Sequence, residues 1–355
     1  MTNKIPTIIV KSEVKKISNA NPNLRDVVCL IGGFETDEHY LEPTFYETLE
    51  AAEADLADGS ATTTPDANLA LKQIFHNNIS GVLAVNVSTE SSGTWSRSVT
   101  GAKLDDALAA VKDIEFDLLY VAEELTDALI TKIDTDAKAR FADKKPYGYI
   151  GAGTRATTAA YTTTAGKLGD YCYAFIVQTF EVEDTELSLI ESGAYLTSLI
   201  ASLPVGNSLT AKVLPEVTDV SAITGLSSGD DYTDLVGLGY FILRLLNPMK
   251  GNYECVNSAT ANGLDLYINR VRDYIVNDFA LRPFLGERNN EATIDAIKME
   301  CNRLLTKFKN NLGVVENITY AVEKAGVDKV NVILNTIEFN GVITEIDVFI
   351  TIEVI

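Results

Sequence analysis

Four kinds of residue that often carry chemistry are scarce in this sequence. Its 355 residues include four cysteines, three methionines, two histidines and one tryptophan. The cysteines are far apart, lie mostly in apolar surroundings and never have CxxC spacing; they are Cys29, Cys172, Cys255 and Cys301. This arrangement excludes the usual zinc and disulfide signatures. We therefore expect buried free thiols and no metal.

The two histidines offer little to a catalytic mechanism. Nucleophilic catalysis by serine or cysteine needs a neighbouring base, which is usually histidine. His39 lies in an acidic segment and His76 on a predicted helix, and neither is near a G-x-S-x-G motif. The sequence therefore predicts no catalytic triad and no enzymatic activity.

Long apolar segments are also missing. No stretch approaches the ~20 apolar residues that a membrane-spanning helix requires. The first residues of the chain lack the apolar core of a signal peptide. We therefore expect a chain that is made and folded in a cytoplasm, with no direct insertion into a membrane.

Positive charge is in deficit. The sequence has 29 Lys and Arg residues against 50 Asp and Glu residues, which gives a net charge of −21. Such a field repels phosphate backbones, so we expect no nucleic acid partner. Solubility is the simplest explanation of the acidity. The acidic pairs Asp105-Asp106, Glu123-Glu124 and Asp230-Asp231 are better explained by helix first turns and loops than by a divalent cation site.

One glycine-rich segment is the main argument for an enzyme. Residues Gly151 to Ala156 follow a predicted strand and fit G-x-G-x-x-A, the dinucleotide-binding pattern. The acidic residue expected ~20 positions later should end the next strand, but the nearest candidate after that strand is Glu181, thirty residues from Gly151. The intervening segment is rich in threonine, which favours a helix poorly, and the sequence contains no P-loop. A tight turn explains the glycines best, and no cofactor is predicted. A cytosolic nucleotide-dependent α/β enzyme remains an alternative.

The first two thirds of the chain alternate predicted strands and helices. The first unit contains a strand at 27–30, helices at 45–56 and 68–78, and a strand at 81–88. After a polar linker at 89–101, the next unit contains a helix at 104–114, a strand at 116–122, a helix at 124–143, strands at 146–153 and 171–182, and a helix at 189–204. This alternation predicts a largely parallel sheet with helices on both faces.

The pattern changes near residue 234. An apolar block ends at Pro248, and two amphipathic helices follow. Apolar residues with helical spacing in the first helix are Leu264, Ile268, Val271, Ile275 and Phe279. Those in the second helix are Ile294, Ile297, Cys301, Leu304, Leu305 and Phe308. Near the end of the second helix, the basic residues Arg303, Lys307 and Lys309 either complement the helix carboxyl end or contact an acidic partner.

Both ends of the chain contain strand signals. A strand at 330–339 is followed by Asn340-Gly341, a preferred pair for a two-residue hairpin turn, and then by a strand with regular apolar–polar alternation. Its last apolar residues, which extend past the hairpin partner, are Val348, Ile350, Ile352 and Val354. A short strand at 7–17 near the amino end includes Ile8, Ile9, Val10 and Val14. Unpaired strand edges recruit other chains, so we expect these strands to join subunits.

The carboxyl third resembles a known family in the order of its elements. An apolar segment leads into a helix that contains Tyr267-Ile268-Asn269-Arg270-Val271-Arg272, and a second amphipathic helix and a hairpin follow. This order resembles the conserved carboxyl-terminal domain of contractile tail sheath proteins, in which a YINVRR-like helix is typical. Such proteins occur in myovirus tails, R-type bacteriocins and related contractile injection systems. The resemblance covers roughly residues 100–355.

The resemblance implies a fold of the class α/β plus α+β. A subtilisin-like α/β middle domain without a catalytic triad would precede an α+β C-terminal sheath domain, with strand-donating arms at both termini. The corresponding division is an N-terminal strand arm at 1–20, a small α/β unit at 21–100, the subtilisin-like domain at 101–233, the sheath domain at 234–345 and a C-terminal strand arm at 346–355.

The resemblance also implies a structural function. The chain would polymerise as a helical stack of six-subunit rings around an inner tube and contract to drive the tube through a target envelope. The tube protein, baseplate proteins and terminator proteins would be its partners. The basic residues Arg303, Lys307 and Lys309 are the candidates for a contact with the tube. Assembly in the host cytoplasm would yield a virion tail or a released phage-tail-like particle. A non-contractile surface-layer or capsid subunit is a further alternative, because it would use the same terminal strands.

Overall fold

A computed structural model describes most of the chain between residues 27 and 339. The described residues are 27–57, 59, 63–226, 230–247, 252–256, 258, 260, 261, 263–279, 281–284, 287–324 and 330–339. The predicted arms at 1–20 and 346–355 and the predicted turn at Asn340-Gly341 lie outside these residues.

Strands and helices alternate along the described chain. The strands are β1 (Val27–Gly32), β2 (Thr44–Tyr46), β3 (Gly81–Asn86), β4 (Thr89–Ser91), β5 (Thr94–Ser96), β6 (Leu118–Val121), β7 (Gly148–Ala152), β8 (Cys172–Ile176), β9 (Phe180–Val182), β10 (Thr185–Glu186), β11 (Val217–Val220), β12 (Leu243–Asn247), β13 (Asn252–Cys255), β14 (Val315–Lys324) and β15 (Val330–Phe339). The helices are α1 (Leu49–Leu56), α2 (Asp66–Phe75), α3 (Gly101–Ala110), α4 (Asp127–Ala142), α5 (Thr158–Ala165), α6 (Leu189–Ser202), α7 (Asp230–Gly237), α8 (Leu266–Asp278) and α9 (Glu291–Thr306). A 3₁₀ turn spans Arg282–Phe284, and a π-helical turn, Lys307–Asn311, continues α9.

A six-stranded sheet forms the centre of the molecule. Its strand order is β2-β3-β1-β6-β7-β8, and β2 runs antiparallel to its neighbour β3. The other pairings are parallel, with Val28 of β1 opposite Val82 on one side and Leu118 on the other. All residues of β3, β6, β7 and β8 are buried, as expected for parallel strands covered on both faces. The predicted parallel sheet is confirmed.

Helices cover both faces of this sheet. Because successive strand residues point to opposite faces, each strand contributes side chains to two cores. Val28 and Leu30 of β1 share a core with buried residues of α1, α2 and α6. Cys29 and Ile31 share a second core with residues of α3 and α4. The strands come from both predicted units, 21–100 and 101–233, so a single sheet extends across the predicted boundary.

Four local predictions differ from the structure. The threonine-rich segment after Ala156, expected to favour a helix poorly, contains α5, whose N-cap is Thr157. The predicted helix at 45–56 begins at Leu49, because residues 44–46 pair with β3 as an edge strand and Thr48 caps the helix. The predicted linker at 89–101 contains the hairpin β4–β5, whose turn residues Ser92 and Gly93 have positive φ. The predicted strand at 171–182 is divided into β8 and β9, which belong to different sheets.

The apolar block before Pro248 has two parts in the structure. Its first residues complete α7, and its last described residues form β12, which pairs with β13 in an antiparallel ribbon. Leu235, Tyr240 and Ile242 from this block are fully buried beside the sheet. None of the helices in the described part of the chain combines the length and apolarity of a membrane span.

The carboxyl third has a core of its own. Residues of α8, α9, β14 and β15 pack together, with Val271, Ile275, Cys301 and Phe308 completely buried or nearly so. The first amphipathic helix begins at Leu266, just after the predicted position, because the preceding Asp265 is its N-cap. The sequence patterns did not predict β14, in which two bulges interrupt the two-residue alternation.

Candidate assembly surfaces

β14 and β15 form a two-stranded antiparallel ribbon with ten residues in each strand. One face packs on α9: Val315 and Ile318 are buried, and the Tyr320 hydroxyl donates to Asn302 Oδ1 at 2.7 Å. Among the described residues each strand pairs with the other alone, so one edge of each strand is unpaired. Such edges accept additional strands. The ribbon is therefore the candidate acceptor for donated strands.

The predicted donor residues all lie outside the described residues. They are Ile8, Ile9, Val10, Val14, Val348, Ile350, Ile352 and Val354. Strand donation by these residues stays a prediction. The last residue of β15 is Phe339, which directly precedes the predicted turn at Asn340-Gly341.

The three basic residues near the end of α9 differ in their surroundings. Arg303 is exposed and makes two short contacts with Glu300, at 2.8 and 2.6 Å, which lower the pKa of that carboxyl. Lys307 is mostly buried and donates to Asp278 at the end of α8, at 2.7 Å. Lys309 is exposed. Lys307 therefore helps to hold α8 against α9, while Arg303 and Lys309 are accessible to a partner.

Charged side chains also lie on the buried side of α8. The Arg272 guanidinium lies over the rings of Phe141 and Tyr171, 5.3 and 5.0 Å from their centroids. Its Nε donates to Asp273 Oδ1 at 2.7 Å, and the Tyr173 hydroxyl donates to Asp273 Oδ2 at 2.6 Å. Burial raises the pKa of Asp273, and the charge of Arg272 opposes that rise. This network holds α8 against β8, the edge strand of the central sheet.

Hydroxyl groups fix the start of α8. Asp265 Oδ2 accepts hydrogen bonds from Ser208 at 2.7 Å, from Thr210 at 2.9 Å and from Ser258 at 2.9 Å. Its other carboxylate oxygen accepts the Tyr267 amide hydrogen at 3.0 Å. The cap thus connects the helix to two preceding loops as well as to its own first turn.

Apolar spacing alone did not identify the buried polar residues of α8. These residues are Asn269, Arg270, Asp273 and Asn277. They recur at three- and four-residue intervals, so they form a stripe of their own along the helix. The signal for these buried polar residues in the sequence was this polar stripe, because it lies in a helix whose apolar residues predict burial.

Internal packing explains the glycine-rich segment at Gly151 to Ala156. A Cβ atom added at Gly151 would lie 2.7 Å from the ring of Phe175, so a larger residue at this position of the strand would clash with that ring. The Arg155 side chain crosses the loop and donates to Leu125 O and to Thr164 Oγ1, both at 2.7 Å. A Cβ atom added at Gly153 would lie 3.1 Å from the Arg155 guanidinium. These contacts account for the two glycines and the arginine without a nucleotide.

Gly151→Ala is expected to lower the free energy of unfolding by about 1–3 kcal/mol, because the added methyl group overpacks the Phe175 site. Chemical denaturation measures this change. Gly166→Ala is the matched control, since its added Cβ would meet the nearest atom at an ordinary 3.4 Å.

Calorimetry tests the nucleotide alternative directly. Titration of the unaltered chain with NAD or with ATP is expected to produce no saturable heat. Saturable binding of either nucleotide would contradict the packing interpretation and would favour the α/β enzyme.

Both histidines lie near a glutamate, and Glu123 of one acidic pair accepts a backbone hydrogen bond. His39 Nδ1 lies 3.5 Å from Glu42 Oε2, and His76 Nε2 lies 3.3 Å from Glu216 Oε2. Glu123 accepts a backbone amide hydrogen bond at 2.8 Å. Across the described residues, no group of three or more His, Cys, Asp or Glu side chains is arranged to hold a metal ion.

The predicted burial of the four free cysteines is confirmed. Burial raises the pKa of the Cys29 thiol to about 12, so this sulfur stays protonated near neutral pH. A protonated, buried thiol is neither a nucleophile nor a metal ligand.

Comparison with solved structures identifies the fold. The chain is similar to the sheath tail protein of Desulfitobacterium hafniense, with a TM-score of 0.63 and 13% identity, over 92% of this chain and 99% of that one. The chain has the tail sheath fold. The chain is also similar to the helical sheath of the anti-feeding prophage in its contracted state, with a TM-score of 0.68 and 15% identity, over 99% of both chains.

A third neighbour also has the tail sheath fold. It belongs to the contracted sheath complex of PVC, an extracellular contractile injection system, and has a TM-score of 0.68 and 11% identity over 99% of this chain and 98% of that one. No family model and no curated protein matches the sequence. The resemblance inferred from the carboxyl third is therefore confirmed as a likeness of fold across nearly the whole chain.

Proposed function

We propose that this chain is the structural subunit of a contractile tail sheath. In this function it polymerises helically around an inner tube and contracts to drive the tube through a target envelope. The observation that carries the proposal is the tail sheath fold, shared over 99% of the chain with a helical sheath in a contracted state. The proposed role is mechanical and requires no enzymatic activity.

Strand addition is the proposed link between subunits. The arms at 1–20 and 346–355 add strands to the β14–β15 ribbon in neighbouring subunits. Backbone hydrogen bonds provide the link, and alternating side chains fix its register. Because the donated and accepting surfaces differ, the contact is heterologous and propagates a helix.

The remaining features of the proposal follow from the resemblance. The subunits form six-membered rings that stack around the tube protein, and baseplate and terminator proteins close the two ends. The central sheet belongs to a subtilisin-like domain without a catalytic triad, and the α8–α9 core with its ribbon belongs to the sheath domain. Assembly takes place in the host cytoplasm and yields a virion tail or a phage-tail-like particle.

Electron microscopy of the purified chain tests the proposal. Hollow helical tubes are the expected result. Flat lattices would favour the surface-layer or capsid alternative instead. Persistent monomers at high protein concentration would contradict both kinds of assembly.

Reversing the exposed basic charges is expected to weaken co-assembly with the inner tube. The variant combines Arg303→Glu with Lys309→Glu and leaves Lys307 unchanged, since Lys307 pairs with Asp278 inside the subunit. We expect roughly a tenfold loss of tube-bound sheath in low salt, and a smaller loss in high salt. Co-sedimentation with the tube measures the bound fraction.

Lys72→Glu is the matched control, because Lys72 is a half-exposed lysine on α2. It changes the net charge in the same direction and is expected to leave tube binding unchanged. Equal binding by the double variant and the unaltered chain would show that the basic residues only complement the end of α9.

A further inference from the structure

We infer that the basic segment at 15–25 docks on the acidic outer edge of the central sheet in its own subunit. This acidic edge consists of β2, α1 and the residues beside them, and it presents four exposed carboxylates, those of Glu42, Glu47, Glu50 and Asp55. The contact lies within one chain and does not depend on the proposed function.

The first 71 residues divide into a basic part and an acidic part. Residues 27–71 contain ten Asp and Glu residues and no Lys or Arg, whereas residues 1–25 contain five Lys and Arg residues and one Glu. Three of the basic residues, Lys15, Lys16 and Arg25, lie in the segment at 15–25, which has no acidic residue. Opposite charges so close together in one chain attract each other, so this segment is a basic ligand attached directly to the acidic edge.

The acidic edge is one continuous surface with little cationic cover. β2 is the outermost strand of the central sheet, and among the described residues its outer side is unpaired. Burial raises the pKa of Tyr46 in this strand to about 12, and the nearby carboxylates of Asp55 and Glu42 add to the rise. Side chains of α1 and of the approach to β2 therefore share one surface. Within the described part of the chain, the only lysine or arginine paired with it is Lys72, 3.5 Å from Glu53 of α1.

The segment ends beside this edge, because residue 26 directly precedes β1. In the sheet register, Tyr46 of β2 is opposite Val82, and the residue before Val82 is opposite Val27. Glu47, which follows Tyr46, is therefore level with Val27 and two strand spacings, ~10 Å, away from it. Arg25 is only two residues before Val27, so its guanidinium is within reach of Glu47.

Phe45 adds an aromatic surface at the same place. Its side chain is 37% exposed, and a Cβ atom added at Gly81 would lie 2.4 Å from its ring. Because Gly81 is opposite Val27, this ring lies close to the start of β1. An arginine placed over an exposed ring gains a cation–π contact, so Arg25 has both a carboxylate and an aromatic ring within reach.

The segment is also long enough to follow the edge. An extended chain spans about 33 Å between Lys15 and Arg25, whereas Glu42 and Glu47 are at most about 18 Å apart. Lys15 and Lys16 therefore reach Glu42 when Arg25 lies near Glu47. The short tether gives the segment a high effective concentration at its own subunit, which favours this edge over that of a neighbour. The predicted donor residues at 8–14 remain available to a neighbouring subunit.

Zero-length cross-linking of the full chain tests the contact. A carbodiimide joins a lysine amine to a carboxylate as an amide and takes up the water that is lost, and it does so only where the two groups are in contact. Unlabelled and ¹⁵N-labelled chains are mixed at high dilution, so that cross-links within one chain carry a single label. We expect single-label peptides that join Lys15 or Lys16 to the acidic edge, with a yield that falls roughly fivefold in about 1 M salt. Peptides that carry both labels alone, or no cross-link between these lysines and the acidic edge, would overturn the inference.

Charge exchange provides an independent test. Ala20→Cys places a spin label in the segment, since the four native thiols are buried. Lys16→Glu with Arg25→Glu is expected to leave roughly threefold fewer immobilised labels, and so is Glu47→Lys with Glu50→Lys. Combining the two pairs restores opposite charges and is expected to restore immobilisation. A combined variant as mobile as the two separate ones would overturn the inference.

Lys4→Glu with Lys11→Glu is the matched control for the exchange. It makes the same change in charge near the amino end but lies outside the segment at 15–25. We expect it to leave the immobilised fraction unchanged. A loss equal to that of Lys16→Glu with Arg25→Glu would show that the acidic edge does not select the segment, and would overturn the inference.

Discussion

Deletion of residues 346–355 is expected to abolish tube formation and to leave the subunit folded. The core residues identified among the described residues all lie at or before Phe339, so the deletion removes none of these residues. If the C-terminal arm donates a strand to a neighbouring subunit, each subunit loses that link at once. Several backbone hydrogen bonds contribute about 0.5–1.5 kcal/mol each to such a link, which is enough to prevent polymerisation.

Two measurements separate folding from assembly. Circular dichroism and thermal unfolding are expected to give the same signal for the truncated and full chains. Negative-stain microscopy and sedimentation are expected to show tubes for the full chain alone. A truncated chain that still forms tubes would contradict donation by the C-terminal arm, while the tail sheath fold itself would stand.

Proline substitution sharpens the deletion experiment. Val348→Pro with Ile350→Pro keeps the length of the arm but removes two backbone N–H donors and disfavours a central strand. Val348→Ala with Ile350→Ala is the matched control, since it shortens the same side chains and keeps both donors. The proline variant is expected to lose tubes, and the alanine variant to retain them at reduced yield.

The parallel strands of the central sheet were predictable because of their burial. Parallel strands covered on both faces require continuous apolar runs, and the runs at β1 and β3 are of this kind. The strand order was not predictable, because it depends on pairs such as Val28 with Leu118, which lie far apart in the chain. A polar linker suggests a boundary at residue 100, yet β1 and β6 pair directly across it.

At the candidate assembly surfaces, the sequence predicted the helices but not the partners of their polar residues. Apolar spacing located α8 and α9, because each contributes one stripe to the third core. It could not assign the polar residues of α8, whose partners are distant in sequence, as Tyr173 is from Asp273. Nor did it show that Lys307 is paired inside the subunit, since Asp278 belongs to the other helix.

Asp273→Ala is expected to lower the free energy of unfolding by about 3–5 kcal/mol. Asp273 is 6% exposed and accepts hydrogen bonds from both Arg272 and Tyr173. Alanine would leave a partly buried guanidinium and a buried hydroxyl without their acceptor, at the contact between α8 and the edge strand β8. Chemical denaturation of the full chain measures the change.

Asp295→Ala separates the effect of burial from the loss of an ion pair. Asp295 also lies on a helix and pairs with a nearby cation, Lys298 at 3.2 Å, but its side chain is 64% exposed. Exposed pairs contribute between about 0 and 1 kcal/mol, so this control is expected to change stability little. Similar losses in the two variants would show that the Tyr173–Asp273–Arg272 network does not hold α8 to the sheet. A large loss confined to Asp273→Ala would show that the stability of the subunit depends on this buried carboxylate between α8 and the sheet.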